Sequence, residues 1–297
     1  MPEARLVNLE DRGVLAVSGE DRIAFLQGLV SNDVERVTPE HAVYAAFLTP
    51  QGKFLFDFIV VDDGERLLLD CEAARLADFA KRLRIYKLRS KIELADVSES
   101  FRVFAVYGDG ALAVLGLASG AAGASEPCLG GLVIIDPRLA ALGARLILPV
   151  NADPSSLGLA PGTFGDYDRR RIQLGIPDGS RDMEVDKTVL LEAGFDELNG
   201  VDWKKGCYMG QELTARTKYR GLVKRRLMPI TTDGPLPPPG TRITLDGRDA
   251  GEIRSTQGDV ALAIVRLNML ERTADGAAVL TAGEVTVTPQ KPEWATF

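Results

Sequence analysis

Residues 199–217 read NGVDWKKGCYMGQELTART. The core of this stretch, Lys204-Lys205-Gly206-Cys207-Tyr208-Met209-Gly210-Gln211-Glu212, is the least generic run in the chain. Glycines on both sides of one cysteine let the backbone turn tightly and bring a ligand close to the thiol. From Gln211 onward the residues are good helix formers, which predicts a helix starting at Met209 or Gly210. Cys207 then lies just before a helix N-terminus with Lys204 and Lys205 beside it. That setting favours thiolate over thiol and attracts anions. A buried cysteine in a tight loop is the alternative reading of the same residues.

Composition bounds the chemistry around this stretch. A chain of 297 residues, 45% hydrophobic and 26% charged, has the length for two or three domains and the balance of an ordinary globular protein. No apolar run approaches the roughly 20 residues of a membrane helix. The first residues, MPEARLVNLEDRGVLAV, mix acids with bases and read neither as a secretory signal nor as a transit peptide. Cys71, Cys128 and Cys207 are far apart, without a CxxC pair, which argues against disulfide frameworks and self-contained zinc or iron–sulfur sites. A reducing, cytoplasmic setting is expected. The single histidine, His41, makes zinc or histidine-based catalysis a poor fit. The net charge of −7 argues against general affinity for nucleic acid. Yet residues 81–91, KRLRIYKLRSK, hold six bases and no acid, and residues 204–226 hold eight bases against Glu212 alone. Two such clusters in an acidic chain favour an anionic ligand, although a solvated helix face is the ordinary origin of a charge run.

Taken in order, Ser18 is expected to cap a helix carrying Ile23, Phe25, Leu26 and Leu29. Strands are expected over 43–48, 54–61 and 66–70, then an amphipathic helix over 73–86 with Leu76, Phe79, Ala80 and Leu83 on one face, then a strand over 92–97. Strands over 101–107, 132–135 and 145–150 and a short helix over 111–117 follow. Residues 119–131 read as an exposed Gly/Ala/Ser-rich loop. Thr163 and Asp166 form a capping box for a helix through Leu174 that Gly175 and Pro177 stop. The order of strands and helices indicates an α+β fold. Past the proline run at 235–240, short strands punctuated by glycine indicate a small β-barrel. The expected domains are 1–221, subdivided near 100 and 151–162, and a barrel over 222–297.

The run KGCYMGQE with its Thr-Ala-Arg tail resembles the signature of YgfZ-type folate-binding proteins, iron–sulfur assembly relatives of the glycine-cleavage T-protein (aminomethyltransferase). Residues 26–33, LQGLVSND, resemble the family's early LQGQ-x-T-x-D segment, and 52–57 sit where the T-protein has its GG-x-x-DD strand. Residues 171–177, RIQLGIP, with LEAG at 191–194, resemble RxEAGIP…LEAG. The resemblance implies a T-protein-like three-part ring, a mixed or antiparallel sheet region with a C-terminal barrel, around tetrahydrofolate or a polyglutamylated or one-carbon derivative of it. It implies Cys207 as the functional thiol and Asp57 as a folate contact or acid/base. It places Tyr167, Arg171, Gln173, Glu192, Lys204, Lys205, Gly206, Tyr208, Gly210 and Gln211 at the ligand, with the folate tail meeting Lys87, Arg89 or the Lys204/Lys205 pair. Gln173 stands where the T-protein has glutamate, and Arg12 where some members have tryptophan. Two functions follow. One is a folate-binding accessory factor for iron–sulfur cluster assembly or repair, with assembly proteins or client iron–sulfur enzymes as partners, tRNA-modifying enzymes being one class of client. The other is a folate-dependent aminomethyltransferase-like one-carbon transferase. Cys207 and Gln173 favour the first. Neither nucleic acid nor membrane is expected as a direct partner, since the basic runs lack the interleaved aromatics of a stacking platform.

Overall fold

The structure, a computed structural model, describes residues 3–118, 120–273 and 279–297. The chain forms two compact units, each assembled from separate stretches. The first comprises Met1–Leu48, Leu55–Tyr167 and Asn199–Met209; the second comprises Thr49–Phe54, Asp168–Leu198 and Gly210–Phe297. The division between the units falls inside the KGCYMGQE run, between Met209 and Gly210.

Among the described residues, eleven strands precede the barrel. They are β1 (Arg5–Asn8), β2 (Arg12–Ser18), β3 (Val43–Leu48), β4 (Phe54–Asp62), β5 (Leu67–Glu72), β6 (Glu93–Asp96), β7 (Phe101–Tyr107), β8 (Ser125–Cys128), β9 (Gly131–Ile135), β10 (Ala144–Pro149) and β11 (Ala160–Pro161). They make a five-stranded sheet in the order β3-β4-β5-β2-β6 and a six-stranded sheet in the order β11-β1-β7-β10-β9-β8. Only β1–β11 is parallel among the pairs with a defined register in the six-stranded sheet, so that sheet is mixed. The helices are α1 (Arg22–Gln27), α2 (Leu76–Lys87), α3 (Ala111–Val114), α4 (Phe164–Gln173), α5 (Gly179–Asp182), α6 (Gln211–Tyr219) and α7 (Leu267–Glu271).

Side chains alternate across a strand, and that alternation assigns each face of the five-stranded sheet a different task. Phe47, Phe56 and Phe58 pack on Phe79 of α2, with ring centroids 4.7–6.0 Å from it. Leu76, Ala80 and Leu83 are buried beside Phe79, as the spacing in α2 requires. The opposite face carries Arg12, Tyr44, Asp57 and Asp70. In the six-stranded sheet, Leu146 and Leu148 of β10 join Phe104, Val106, Val133 and Ile135 in a separate apolar core, which leaves Arg145 on the other side of its strand.

Several expectations need correction. Asp21, not Ser18, occupies the cap position of α1, and it makes no side-chain capping bond. Within residues 119–131, Ser119 lies outside the described residues, and Ser125–Cys128 is a strand paired with β9. Composition alone hides such an edge strand, because its order comes from a partner. The capping box at α4 forms as expected: Thr163 Oγ1 accepts from the Asp166 amide at 3.1 Å and donates to its carboxylate at 2.8 Å. Gly175 ends that helix at φ +74°, and a Cβ there would lie 2.7 Å from Pro292. At the end of α2 the position that usually takes glycine is Leu88, at φ +42°. A leucine held at positive φ carries strain of about 1–2 kcal/mol.

The second unit holds the barrel, closed in the order β12-β15-β14-β13-β16-β17. Its strands are β12 (Arg225–Thr232), β13 (Arg242–Leu245), β14 (Arg248–Gln257), β15 (Val260–Arg266), β16 (Leu280–Ala282) and β17 (Val285–Pro289). Met228, Ile230, Ile243, Ile253, Ala263 and Val265 are among the residues that fill it. Among the described residues, no helix is long and apolar enough to cross a membrane.

Candidate functional site

The loop bearing Cys207 is built on the segment that follows α1. Ser31 Oγ donates to the Gly200 carbonyl at 2.6 Å, and the Asp202 amide donates to the Ser31 carbonyl at 3.1 Å. Asn32 Nδ2 reaches both the Tyr44 and Asn199 carbonyls at 2.7 Å. Asp202 then folds the next turn, its Oδ1 accepting from the amides of Lys204 at 2.6 Å and Lys205 at 2.9 Å. Residues 30–32 are therefore the platform of the Cys207 loop.

Lys205 completes the anchor. Its ammonium is buried, donates to the carbonyls of Val30 at 2.7 Å and Asn32 at 2.6 Å, and lies 5.3 Å from the Tyr208 ring centroid. Burial pulls its pKa down to about 8, against the opposing pull of Asp33, Asp202 and Glu35. Lys205 thus serves the loop's framework, not an anion outside it. Tyr208 is buried, whereas Lys204, Gly206 and Cys207 are exposed. Gly210 caps α6 in the left-handed conformation at φ +82°, and Gln211 is the first helical residue, one position from the expected start.

A second assembly occupies the polar face of the first unit. Arg12 Nε binds the Asp70 carboxylate at 2.6 Å, and Arg145 reaches the same carboxylate at 3.2 Å. Arg145 also lies 3.8 Å from Asp136, which Arg138 grips at 2.8–2.9 Å. The Tyr167 phenolic oxygen accepts from Arg145 at 3.2 Å and from Arg138 at 3.4 Å. Tyr44 donates its hydroxyl to Asp57 at 2.8 Å, with the Arg138 guanidinium 5.8 Å from its ring. Burial raises the Tyr44 pKa well above its ordinary value, and Asp57 adds to the effect. Burial opposes ionisation of Asp136 too, but Arg138 and Arg145 outweigh it and hold the carboxyl below its usual range. Asn199 links the two assemblies, its Nδ2 donating to the Pro137 carbonyl at 3.2 Å. Sequence reasoning named Asp57 and Tyr167 but missed Tyr44, Asp70, Asp136, Arg138 and Arg145. The available signal was a charge within an apolar strand, as in FLFDFIVV, LLLDC and ARLIL. Cys71 borders this assembly and is inert as a nucleophile, since burial pushes its thiol up to about 12.

Arg171, Gln173 and Glu192 belong to the second unit. Arg171 is buried between Asp168 at 2.6 Å and Asp182, and donates to Ser255 at 2.9 Å. Burial disfavours its charge, but Asp182, Asp178 and Asp168 outweigh that and raise its pKa. Gln173 is exposed at the end of α4. Glu192 takes both donors of Arg225, at 2.9 and 3.1 Å, beside a cavity of about 90 Å³ that Glu184 and Arg254 also line. Among the described residues, no group of three His, Cys, Asp or Glu side chains could hold a metal ion.

The comparison with known proteins turns on length as much as identity. The chain is 33% identical over 314 residues to the mouse "Iron-sulfur cluster assembly factor IBA57, mitochondrial", covering 96% of this chain and 84% of that one. It is also 33% identical over 310 residues to the human protein of the same name, with the same coverage. The chain belongs to the IBA57 family of iron–sulfur cluster assembly factors. As a family member it carries the GCVT N-terminal domain over residues 3–126 and the CAF17 C-terminal β-barrel domain over residues 224–297. Its fold is that of the T-protein. The glycine cleavage aminomethyltransferase from Bartonella henselae matches with a TM-score of 0.77 over 99% of this chain and 86% of that one, at 15% identity. The cytoplasmic setting expected from cysteine usage is overturned here, because these IBA57 relatives are named as mitochondrial.

Proposed function

We propose that this IBA57-family chain binds a reduced folate in its first unit and supports iron–sulfur cluster assembly through the thiol of Cys207. The observation that carries this reading is the division of labour in the KGCYMGQE loop: Lys205, Asp202 and Tyr208 hold the loop, while Cys207 is a free, exposed thiol. An exposed thiol flanked by glycine is free to engage cargo. One thiol supplies one ligand, so a partner's groups must complete the coordination of any cluster handled there.

The folate half of the proposal is supported by the matched GCVT domain and by the polar face described above. A pterin needs a hydrogen-bond acceptor for its amide-like edge and flat walls for its ring. Asp57, held by the Tyr44 hydroxyl, supplies the first, and Tyr167 is the candidate for the second, on rigid strand and helix positions. Lys204 is the exposed cation beside the loop suited to the carboxylates of the tail. YgfZ-type factors are the finer likeness, and their client enzymes, tRNA-modifying ones included, are the clients proposed here.

Titration of the purified protein with tetrahydrofolate, followed by fluorescence, tests the ligand; saturable binding in the micromolar range or tighter is expected. Cys207→Ala should keep that binding and the thermal midpoint, yet fail to restore iron–sulfur enzyme activity in a strain lacking the native protein. Full rescue would remove the thiol from the function. Aminomethyl transfer by the purified protein would instead move the reading to a one-carbon transferase.

A further inference from the structure

Six successive residues at the end of α2, Arg84-Ile85-Tyr86-Lys87-Leu88-Arg89, are exposed. Ile85 is 65% and Leu88 88% accessible, although both are apolar. We propose that this outcrop docks an acidic protein partner, with Leu88 and Ile85 entering an apolar notch and Arg84, Lys87 and Arg89 meeting a rim of carboxylates. The proposal goes beyond the folate and thiol readings and does not depend on them.

Three observations support a built surface. Leu88 sits at the helix end at a positive φ where glycine would be easier, and its side chain is turned into water. The outcrop also stands on a firm base. Tyr86 packs edge-on against Phe47 at 6.0 Å, the Ser90 amide donates to the Lys87 carbonyl at 2.8 Å, and the Lys91 amide donates to the Asp21 carboxylate at 2.7 Å. A surface fixed beforehand loses little freedom on binding. Finally, Lys81, Lys87 and Arg89 have no acidic partner among the described residues, whereas Arg82 is paired with Asp78 and Lys91 with Glu20.

Charge and shape select the occupant. A symmetric dimer through this patch would set its bases against themselves. A membrane helix needs a long apolar stripe, but the stripe of α2 is already buried in the core through Leu76, Phe79 and Leu83. Nucleic acid and the folate tail would use the bases but have no use for isoleucine and leucine. An acidic protein with an apolar notch uses both.

The test places a benzoyl-phenylalanine photo-cross-linker at Ile85 in cells of the source organism and identifies adducts by mass spectrometry. One acidic protein is expected. Its adduct should disappear in Lys87→Glu/Arg89→Glu and fall about tenfold in Leu88→Gly, a loss typical of one interface anchor. Because glycine relieves the leucine held at positive φ, Leu88→Gly should hold or raise the thermal midpoint while losing the adduct, which a purely structural role for Leu88 would not produce. Adducts only with the chain itself, with lipid or with RNA, no adduct, or an adduct indifferent to both variants would overturn the proposal. So would a Lys87→Glu/Arg89→Glu variant that binds polyglutamylated tetrahydrofolate more weakly than the parent.

Discussion

Lys205 shows how a residue's surroundings decide its role. In sequence it is one of two lysines beside a cysteine, and either could face an anion. In the fold Lys204 is exposed, while Lys205 is sealed under the loop against two carbonyl oxygens. This has a measurable pH signature. The ammonium titrates near 8 in the folded chain and at 10.5 when free, so between those values the unfolded chain binds the extra proton. Stability contributed at this position therefore rises as pH climbs from 8 towards 10.5. Urea midpoints of the parent and Lys205→Met, compared at intervals from pH 7 to 10, should show the parent gaining on the variant across that window. A constant difference would mean the ammonium is not buried as described. The buried ions of the first unit carry a related lesson. Arg12, Asp70, Arg145, Asp136 and Arg138 form a continuous chain, and none of their pairings is local enough in sequence, Asp136–Arg138 apart, to be guessed.

At the scale of elements, the parts legible in the sequence are those whose order is local. The apolar spacing of α2, the strands β3 and β7 and the Thr163 capping box needed no distant partner, and the structure has them where the residues put them. Elements that exist by pairing were illegible. The two-residue β11 is a strand only because Arg5 and Leu6 lie beside it, and β8 only because β9 does. The polar face was half legible: Asp57 could be named, but not the arginines that the other sheet brings to it. Gly175 gives an element-scale prediction, since it both ends α4 and accepts the C-terminal segment. Gly175→Ala must hold alanine at φ +74° with its Cβ 2.7 Å from Pro292, so a loss of about 1–3 kcal/mol is expected. Thermal unfolding measures it, and a midpoint unchanged within error would show that this helix end can relax.

On the scale of the molecule, the barrel has its own closed sheet and its own apolar filling, so the fragment 210–297 should fold cooperatively. It should do so at a lower temperature than the full chain, because its final residues lose their partners. Trp294 Nε1 donates to the Leu174 carbonyl at 2.6 Å, and Thr296 binds Glu197 through its amide and hydroxyl at 2.7 Å. Amide exchange in the fragment should therefore be fast over 290–297 and slow in β12 and β15; a fragment without a cooperative transition would refute the barrel's independence. The interleaving of the two units also matters before the protein is finished. Thr49–Phe54 leaves the ribosome early but belongs with Asp168–Leu198, where the Phe54 amide meets the Thr188 carbonyl at 2.9 Å. At roughly 5–20 residues per second, that six-residue segment waits several seconds or more for its neighbours. The first unit, for its part, stays open until Met209 has emerged. Neither half can complete before Met209 has emerged, so a nascent chain stalled before its last third offers chaperones and proteases an unfinished version of both.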